Sequence, residues 1–184
     1  VALGYAVDGN RLSRDVDLFH DTAEALERSW QDDIALFRSQ GWEVVVLRDV
    51  ATFKEVLVRR SGEELLVRWA RDSAFRFFPL VEHEELGLTL HPFDLASGKV
   101  LALVGRLEPR DWLDVLACDD RIQPLGYLAW AACAKDPGFN PVSLLAEARR
   151  SSRYSQEELN ELAFAGPPPD AAACGRKWHT ILTE

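Results

Sequence analysis

Asp15, Val16 and Asp17 stand inside the run Asp15-Val16-Asp17-Leu18-Phe19, where polar and apolar residues alternate. In an extended strand alternate side chains share a face, so this spacing sets the two carboxylates side by side with Val16 and Leu18 on the other face. Carboxylates held that close raise each other's pKa unless a cation neutralises them. Magnesium, which takes hard oxygen ligands and travels chelated to a nucleoside triphosphate, is the usual cation for such a pair. An Asp-x-Asp triplet also arises about once by chance in a chain this rich in aspartate. A solvent-facing strand edge accounts for it equally well.

A second group of reactive residues lies on the stretch that opens at Asp94, a residue suited to cap a helix reaching Val104. Leu95, Ala96, Val100, Leu101, Leu103 and Val104 leave few polar positions, so that helix is expected to be largely buried. Lys99 shares a face with Leu95 and Leu103, and Arg106 follows two turns along the same stripe. A buried ammonium is costly without a partner, so Lys99 must snorkel to water, pair with a carboxylate or meet an anionic ligand. Arg110, Asp111 and Asp114 open the next helix, where aspartate complements the positive N-terminal end. Ser97-Gly98-Lys99 does not complete a phosphate loop. Phe93 stands where the first glycine is required, and Val100 where a Ser or Thr would reach magnesium. His20, His83, His91 and His179 have no metal-ligand spacing, and the sequence offers Cys118 no histidine partner.

Rigid elements must hold these groups. With 184 residues, 47% of them hydrophobic and 28% charged, the chain can bury one core or two small ones. Its 21 Lys plus Arg against 30 Asp plus Glu give a net charge of −9, which excludes a broadly basic nucleic-acid clamp and leaves a local cationic groove open. The pattern predicts a strand at 15–19, a helix from Asp21 to Gln40 stopped by Gly41, and strands at 42–47, 52–58 and 65–70. The Arg60-Ser61-Gly62-Glu63 turn joins the last two strands. Beyond Pro92 it predicts helices over 94–104, 110–118 and 124–135. Two more follow, one capped by Asn140 with Pro141 at its first position and one opened by a Ser155/Glu158 capping box. Residues 165–184 read as a tail with little independent structure, whose Trp178 and Ile181 could dock elsewhere on the chain. The fold class is therefore α+β: a small mixed sheet with helices over 1–91, followed by a helical domain over 92–164. Cys118, Cys133 and Cys174 lie at long spacings without a CxxC pair, as expected in a reducing cytoplasm, and no apolar run is long enough for a membrane span. The chain opens on Val1 and contains no methionine, so its first element is expected to be incomplete.

Four segments taken in order resemble one family. They are Val1-Ala-Leu3; Arg11-Leu-Ser13-Arg-Asp15-Val-Asp17; Asp94-Leu-Ala-Ser-Gly-Lys99; and Arg110-Asp111-Trp-Leu-Asp114. Over about residues 1 to 120 they resemble the AbiEii/AbiGii-type nucleotidyltransferases, toxins of type IV toxin–antitoxin systems within the DNA polymerase β-like superfamily. The resemblance implies a nucleotidyltransferase-like domain over 1–91, with the helical domain closing a nucleotide cleft. It further implies that Asp15 and Asp17 bind two magnesium ions, that Arg11 and Ser13 brace a glycine turn cradling the triphosphate, that Lys99 contacts the phosphates, and that Asp114 completes the pocket. That glycine turn would directly precede Val1. The implied reaction moves a nucleoside monophosphate from a nucleoside triphosphate to a hydroxyl of RNA, such as tRNA, or of protein. A cognate antitoxin is an implied partner. Arg149, Arg150 and Arg153 could line an RNA groove, or be a solvated helix end. The superfamily supplies a third carboxylate from a later strand. Here Arg68 or Trp69 stands at that place, so Asp72 substitutes or the base is missing. The alternative function is an inactive nucleotide- or partner-binding module of the same fold.

Overall fold

The computed structural model describes residues 1–13, 15–72, 75–151 and 154–183. They form two compact units. Val1 and 13–75 make one, and 2–12, with the short helix α1 (Ala2–Ala6), join 76–184 in the other.

The first unit contains β1 (Asp15–His20), α2 (Ala23–Ser39), β2 (Glu43–Val50), β3 (Phe53–Arg60) and β4 (Glu63–Arg71). The strands β2, β3 and β4 form an antiparallel meander, and β1 joins it parallel to β4, giving the order β1-β4-β3-β2. Ser61 and Gly62 both take positive φ, 55° and 87°, the backbone of a two-residue hairpin turn whose twist suits its flanking strands. Thr22 caps α2 by accepting from the Ala25 amide, so the helix opens just beyond the expected Asp21, and Gly41 at φ 80° ends it. Leu26, Trp30 and Ile34 of α2 pack on Val56, Val58, Val67 and Trp69 of the sheet. Trp30 meets Trp69 edge-on, with ring centroids 5.2 Å apart. Because side chains alternate, burying Val67 and Trp69 under α2 turns Leu66 and Arg68 to the opposite face. Val16 and Leu18 likewise turn Asp15 and Asp17 there.

The second unit contains the hairpin β5 (Val81–His83) and β6 (Gly87–Thr89), followed by the helices α3 (Pro92–Arg106), α4 (Pro109–Arg121), α5 (Leu125–Lys135), α6 (Pro141–Ala148), α7 (Gln156–Asn160) and α8 (Ala171–Ile181). Its core gathers Val100 and Leu103 of α3, Trp112 and Val115 of α4, Leu128 of α5, Leu144 of α6 and Trp178 of α8. Leu107 takes the left-handed conformation at the end of α3, and Pro109 restarts the chain as α4 two residues later. This short connection returns the first turn of α4 beside the last turns of α3.

Four expectations are corrected. Residues 2–12 pack with the helices: Leu3 and Val7 enter that core, and the stretch bonds to 163–165 through Leu12 N to Ala163 O and Ala165 N to Asn10 O, each 2.8 Å. The boundary between the units falls at 75/76 rather than at 91, because the hairpin β5–β6 belongs to the helical unit. Residues 171–181 are a helix and not a loose tail, since Asp170 caps it and Trp178 is wholly buried. The side-chain cap of α3 is His91, which accepts from the Phe93 amide. Asp94 sits one turn inside and accepts instead from the amides of Phe77 and Phe78, at 3.0 and 3.1 Å.

Candidate functional site

In the first unit the parallel pairing sets Asp17 opposite Arg68, and the antiparallel pairing sets Glu55 opposite the same Arg68. Asp17, Arg68 and Glu55 thus form a row across three strands, with Asp15 two residues before Asp17 on the same face. The Arg68 guanidinium donates through Nε to Glu55 Oε1 at 2.7 Å and through Nη1 to Asp15 Oδ2 at 3.0 Å, with Asp17 Oδ1 3.5 Å from Nη1. Burial works against the Arg68 charge, but Glu55, Asp17 and Asp15 outweigh it and raise its pKa above the usual arginine value. Ser13 fixes Asp15 by donating to its Oδ1 at 2.7 Å and to its carbonyl at 3.0 Å. The structure therefore brings together Ser13, Asp15 and Asp17, all expected, with Glu55, which the sequence reading did not single out. Asp72 stands four positions past Arg68 on the strand axis, about 13 Å at a rise of about 3.3 Å per residue, and its amide donates to His20 O. It does not join the carboxylate pair, and Glu55 is the third carboxylate of this face.

In the second unit Lys99 pairs with Asp111 at 3.2 Å and with Asp114 at 3.0 Å. Arg106 grips Asp111 through Nε and Nη2 at 3.0 and 2.8 Å, and Arg11 grips Asp114 through Nε and Nη2 at 3.1 and 2.8 Å. Of the three readings open for Lys99, the structure shows the carboxylate pairing. Asp111 is fully buried at the N-terminal turn of α4, where both the helix end and the two cations hold its charge. Asp114 and Arg11 line a cavity of about 240 Å³ together with Gly4, Gly9, Asn10 and Lys177. Arg11, expected beside a glycine turn, is committed here to α4. Burial, reinforced by the Asp114 charge, pushes the Cys118 thiol up to about 12, so it stays protonated and unreactive at neutral pH.

Among the described residues the two clusters carry opposite surpluses. On the strand face three carboxylates meet one guanidinium, a surplus of two negative charges. On the helices three cations meet two carboxylates, a surplus of one positive charge. The first surplus suits a divalent cation, the second an anion. Donor chemistry at Asp15 and Asp17 fits magnesium: both are hard oxygen ligands on one face, and both already turn toward a cation. Among the described residues no three His, Cys, Asp or Glu are grouped so as to hold a metal ion by themselves. Coordination from the two aspartates would be completed by water and substrate oxygens, as is usual for magnesium.

Of the expected arginine groove, Arg149 donates to Leu182 O and Arg150 pairs with Glu147, while Arg153 lies outside the described residues. No helix among the described residues is long and apolar enough to cross a membrane.

No family model matches the chain, and no curated protein matches it. Among solved structures, the crystal structure of a candidate nucleotidyltransferase from H. pylori is similar over 99% of this chain and 80% of that one, at TM-score 0.62 and 14% identity. That likeness shows the fold: a mixed α+β, nucleotidyltransferase-like architecture.

Proposed function

We propose that this chain is a nucleotidyltransferase that moves a nucleoside monophosphate from a nucleoside triphosphate to a hydroxyl of RNA or protein. The observation that carries the reading is the placement of Asp15 and Asp17 side by side on the α2-free face of the sheet, both turned toward one cation. Fold likeness to a candidate nucleotidyltransferase agrees with it. Asp15 and Asp17 would hold magnesium, which when bound polarises the α-phosphate and offsets charge on the leaving pyrophosphate.

Ser13 keeps the Asp15 carboxylate oriented by donating its hydroxyl to Oδ1 at 2.7 Å. Lys99 supplies the spare positive charge of the helical cluster to a phosphate, while Arg106 and Arg11 keep Asp111 and Asp114 paired as it does so. Glu55 shares this face and anchors the Arg68 guanidinium through Nε at 2.7 Å. The ordered resemblance of the four sequence segments extends the proposal to an RNA acceptor such as tRNA, a toxin role with a cognate antitoxin, and a cytoplasmic setting.

Transfer of labelled nucleotide from each of the four nucleoside triphosphates, with and without magnesium, tests the reaction. Asp17→Ala should abolish it, and incorporation at the wild-type rate by that variant would refute the mechanism. One observation favours a second reading, a binding module without turnover: Arg68 already neutralises part of the carboxylate pair. Nucleotide binding measured by calorimetry alongside an inert transfer assay would select it.

A further inference from the structure

Asp15 and Asp17 are bridged by a cation that belongs to the chain. Arg68 Nη1 lies 3.0 Å from Asp15 Oδ2 and 3.5 Å from Asp17 Oδ1, the carboxylates a metal would also need. Its Nε is held separately, on Glu55 Oε1 at 2.7 Å. We propose that Arg68 is an internal counter-ion that a divalent cation must displace from Asp15 and Asp17, with Glu55 retaining the displaced guanidinium. The inference rests on the metal-binding reading of the aspartate pair and adds to it a competitor that sets metal affinity.

Two features of the strand face support it. Glu55 and Asp17 flank Arg68 in one cross-strand row, so the guanidinium reaches either side with no change of backbone. Its two holds use different nitrogens, so the Nη1 contacts can be given up while Nε keeps Glu55. Expelling Arg68 altogether would leave its charge without a partner on a sheet face, which is costly. Without metal, the guanidinium relieves the repulsion that two adjacent carboxylates otherwise suffer.

Manganese(II) alone, titrated into the full chain without nucleotide and read by loss of the free-ion electron paramagnetic resonance signal, tests this. Arg68→Gln removes the competing charge. A charge-assisted hydrogen bond is worth a factor of about 10 to 100, and partial exposure of these side chains puts the expected gain in metal affinity near tenfold. Glu55→Gln in the wild-type background should weaken manganese binding, because Arg68 loses its alternative partner. In the Arg68→Gln background it should have no effect.

Equal manganese affinity in wild type and Arg68→Gln overturns the displacement while leaving the metal site standing. Binding to neither chain overturns the metal reading, and this inference with it. Weakening by Glu55→Gln in the Arg68→Gln background makes Glu55 a metal ligand and overturns its retaining role. Should Arg68→Gln fail to fold, the wild-type chain still decides: saturating magnesium should shift the Arg68 guanidinium proton resonance, and an unmoved resonance overturns the proposal.

Discussion

Lys99→Met separates a ligand contact from a structural one, because the surrounding pairs make its stability cost small. The ammonium touches Asp111 at 3.2 Å and Asp114 at 3.0 Å. Removing it orphans neither carboxylate, since Asp111 keeps two hydrogen bonds from Arg106 and Asp114 keeps two from Arg11. The cluster then holds two cations against two anions and is neutral. Methionine also preserves the aliphatic stem. Two partly exposed ion pairs are lost, each worth about 0.2–1 kcal/mol, so the variant should be destabilised by about 1 kcal/mol. Asp111→Asn is the contrast: it removes the buried anion between Lys99 and Arg106 and should cost about 3–5 kcal/mol. Urea unfolding followed by the fluorescence of Trp112 and Trp178, both buried in this unit, measures each cost.

The functional loss should be far larger than the structural one. A positioned donor that meets charge developing on a phosphate is worth about 100- to 1000-fold in turnover, or about 2.7–4 kcal/mol. Lys99→Met should therefore lower nucleotide transfer by about that factor while the chain stays folded, and should weaken nucleotide binding measured with all four triphosphates. A variant destabilised by more than about 3 kcal/mol would show Lys99 to be a structural counter-ion, since that is the cost of breaking a buried pair by removing one partner. Wild-type nucleotide affinity in a stably folded variant would equally refute the assignment.

Asp94→Asn should destabilise the helical unit by about 3 kcal/mol at neutral pH, because it leaves Lys135 without its anion, and chemical unfolding checks this. Burial alone would raise the Asp94 pKa, but the Phe77 amide, Lys135 and the Phe78 amide lower it overall. Its stabilisation is therefore complete above the unfolded value of about 3.9 and is lost as pH falls through the lower folded value. The gap between wild type and variant should close under acid, and a gap that widens contradicts the sign. Trp178→Ala should cost about 3–5 kcal/mol in urea, whereas Trp178→Phe should cost much less, since the buried indole N–H has no hydrogen-bond partner among the described residues. Ser13→Ala should weaken manganese binding several-fold without unfolding the sheet, because it frees the Asp15 carboxylate to turn; unchanged affinity would remove Ser13 from the site.

What can be read along the chain is whatever local geometry enforces. The alternation at 15–19 sets both aspartates on one face, and helical spacing sets Lys99 and Arg106 on one stripe; in the structure both of the latter reach Asp111. The Ser61-Gly62 turn also contains a clue to the third carboxylate. A two-residue hairpin pairs Arg60 with Glu63, and its register runs unbroken to Glu55 opposite Arg68. Carrying that count along to Arg68 finds Glu55. Asp17 opposite Arg68 is not legible in the same way, because β1 and β4 are parallel and no short turn fixes their register. The hairpin β5–β6 escapes a reading by pattern because three-residue strands are too short to show a period. α8 is hidden behind the Gly166-Pro-Pro-Pro-Asp170 run, which ends one element and, through Asp170, caps the next.

Internal pairing changes what these residues can tell. An Asp-x-Asp pair with nothing beside it would be driven toward protonation or toward any cation at hand, and its metal affinity would follow from the two carboxylates alone. Beside Arg68 the same pair already has a cation, and on the proposed reading its affinity would be the difference between what a metal gains and what the guanidinium gives up. On the proposed reading Lys99 follows the same logic with the sign reversed: a phosphate would have to draw it from Asp111 and Asp114, and Arg106 and Arg11 would lower the cost of that release. Substituting the counter-ions is therefore more informative than deleting the aspartates. Loss of metal binding on deletion of Asp15 or Asp17 is expected of any metal site at this pair, whereas a gain in affinity when Arg68 loses its charge is expected only where the guanidinium competes with the metal.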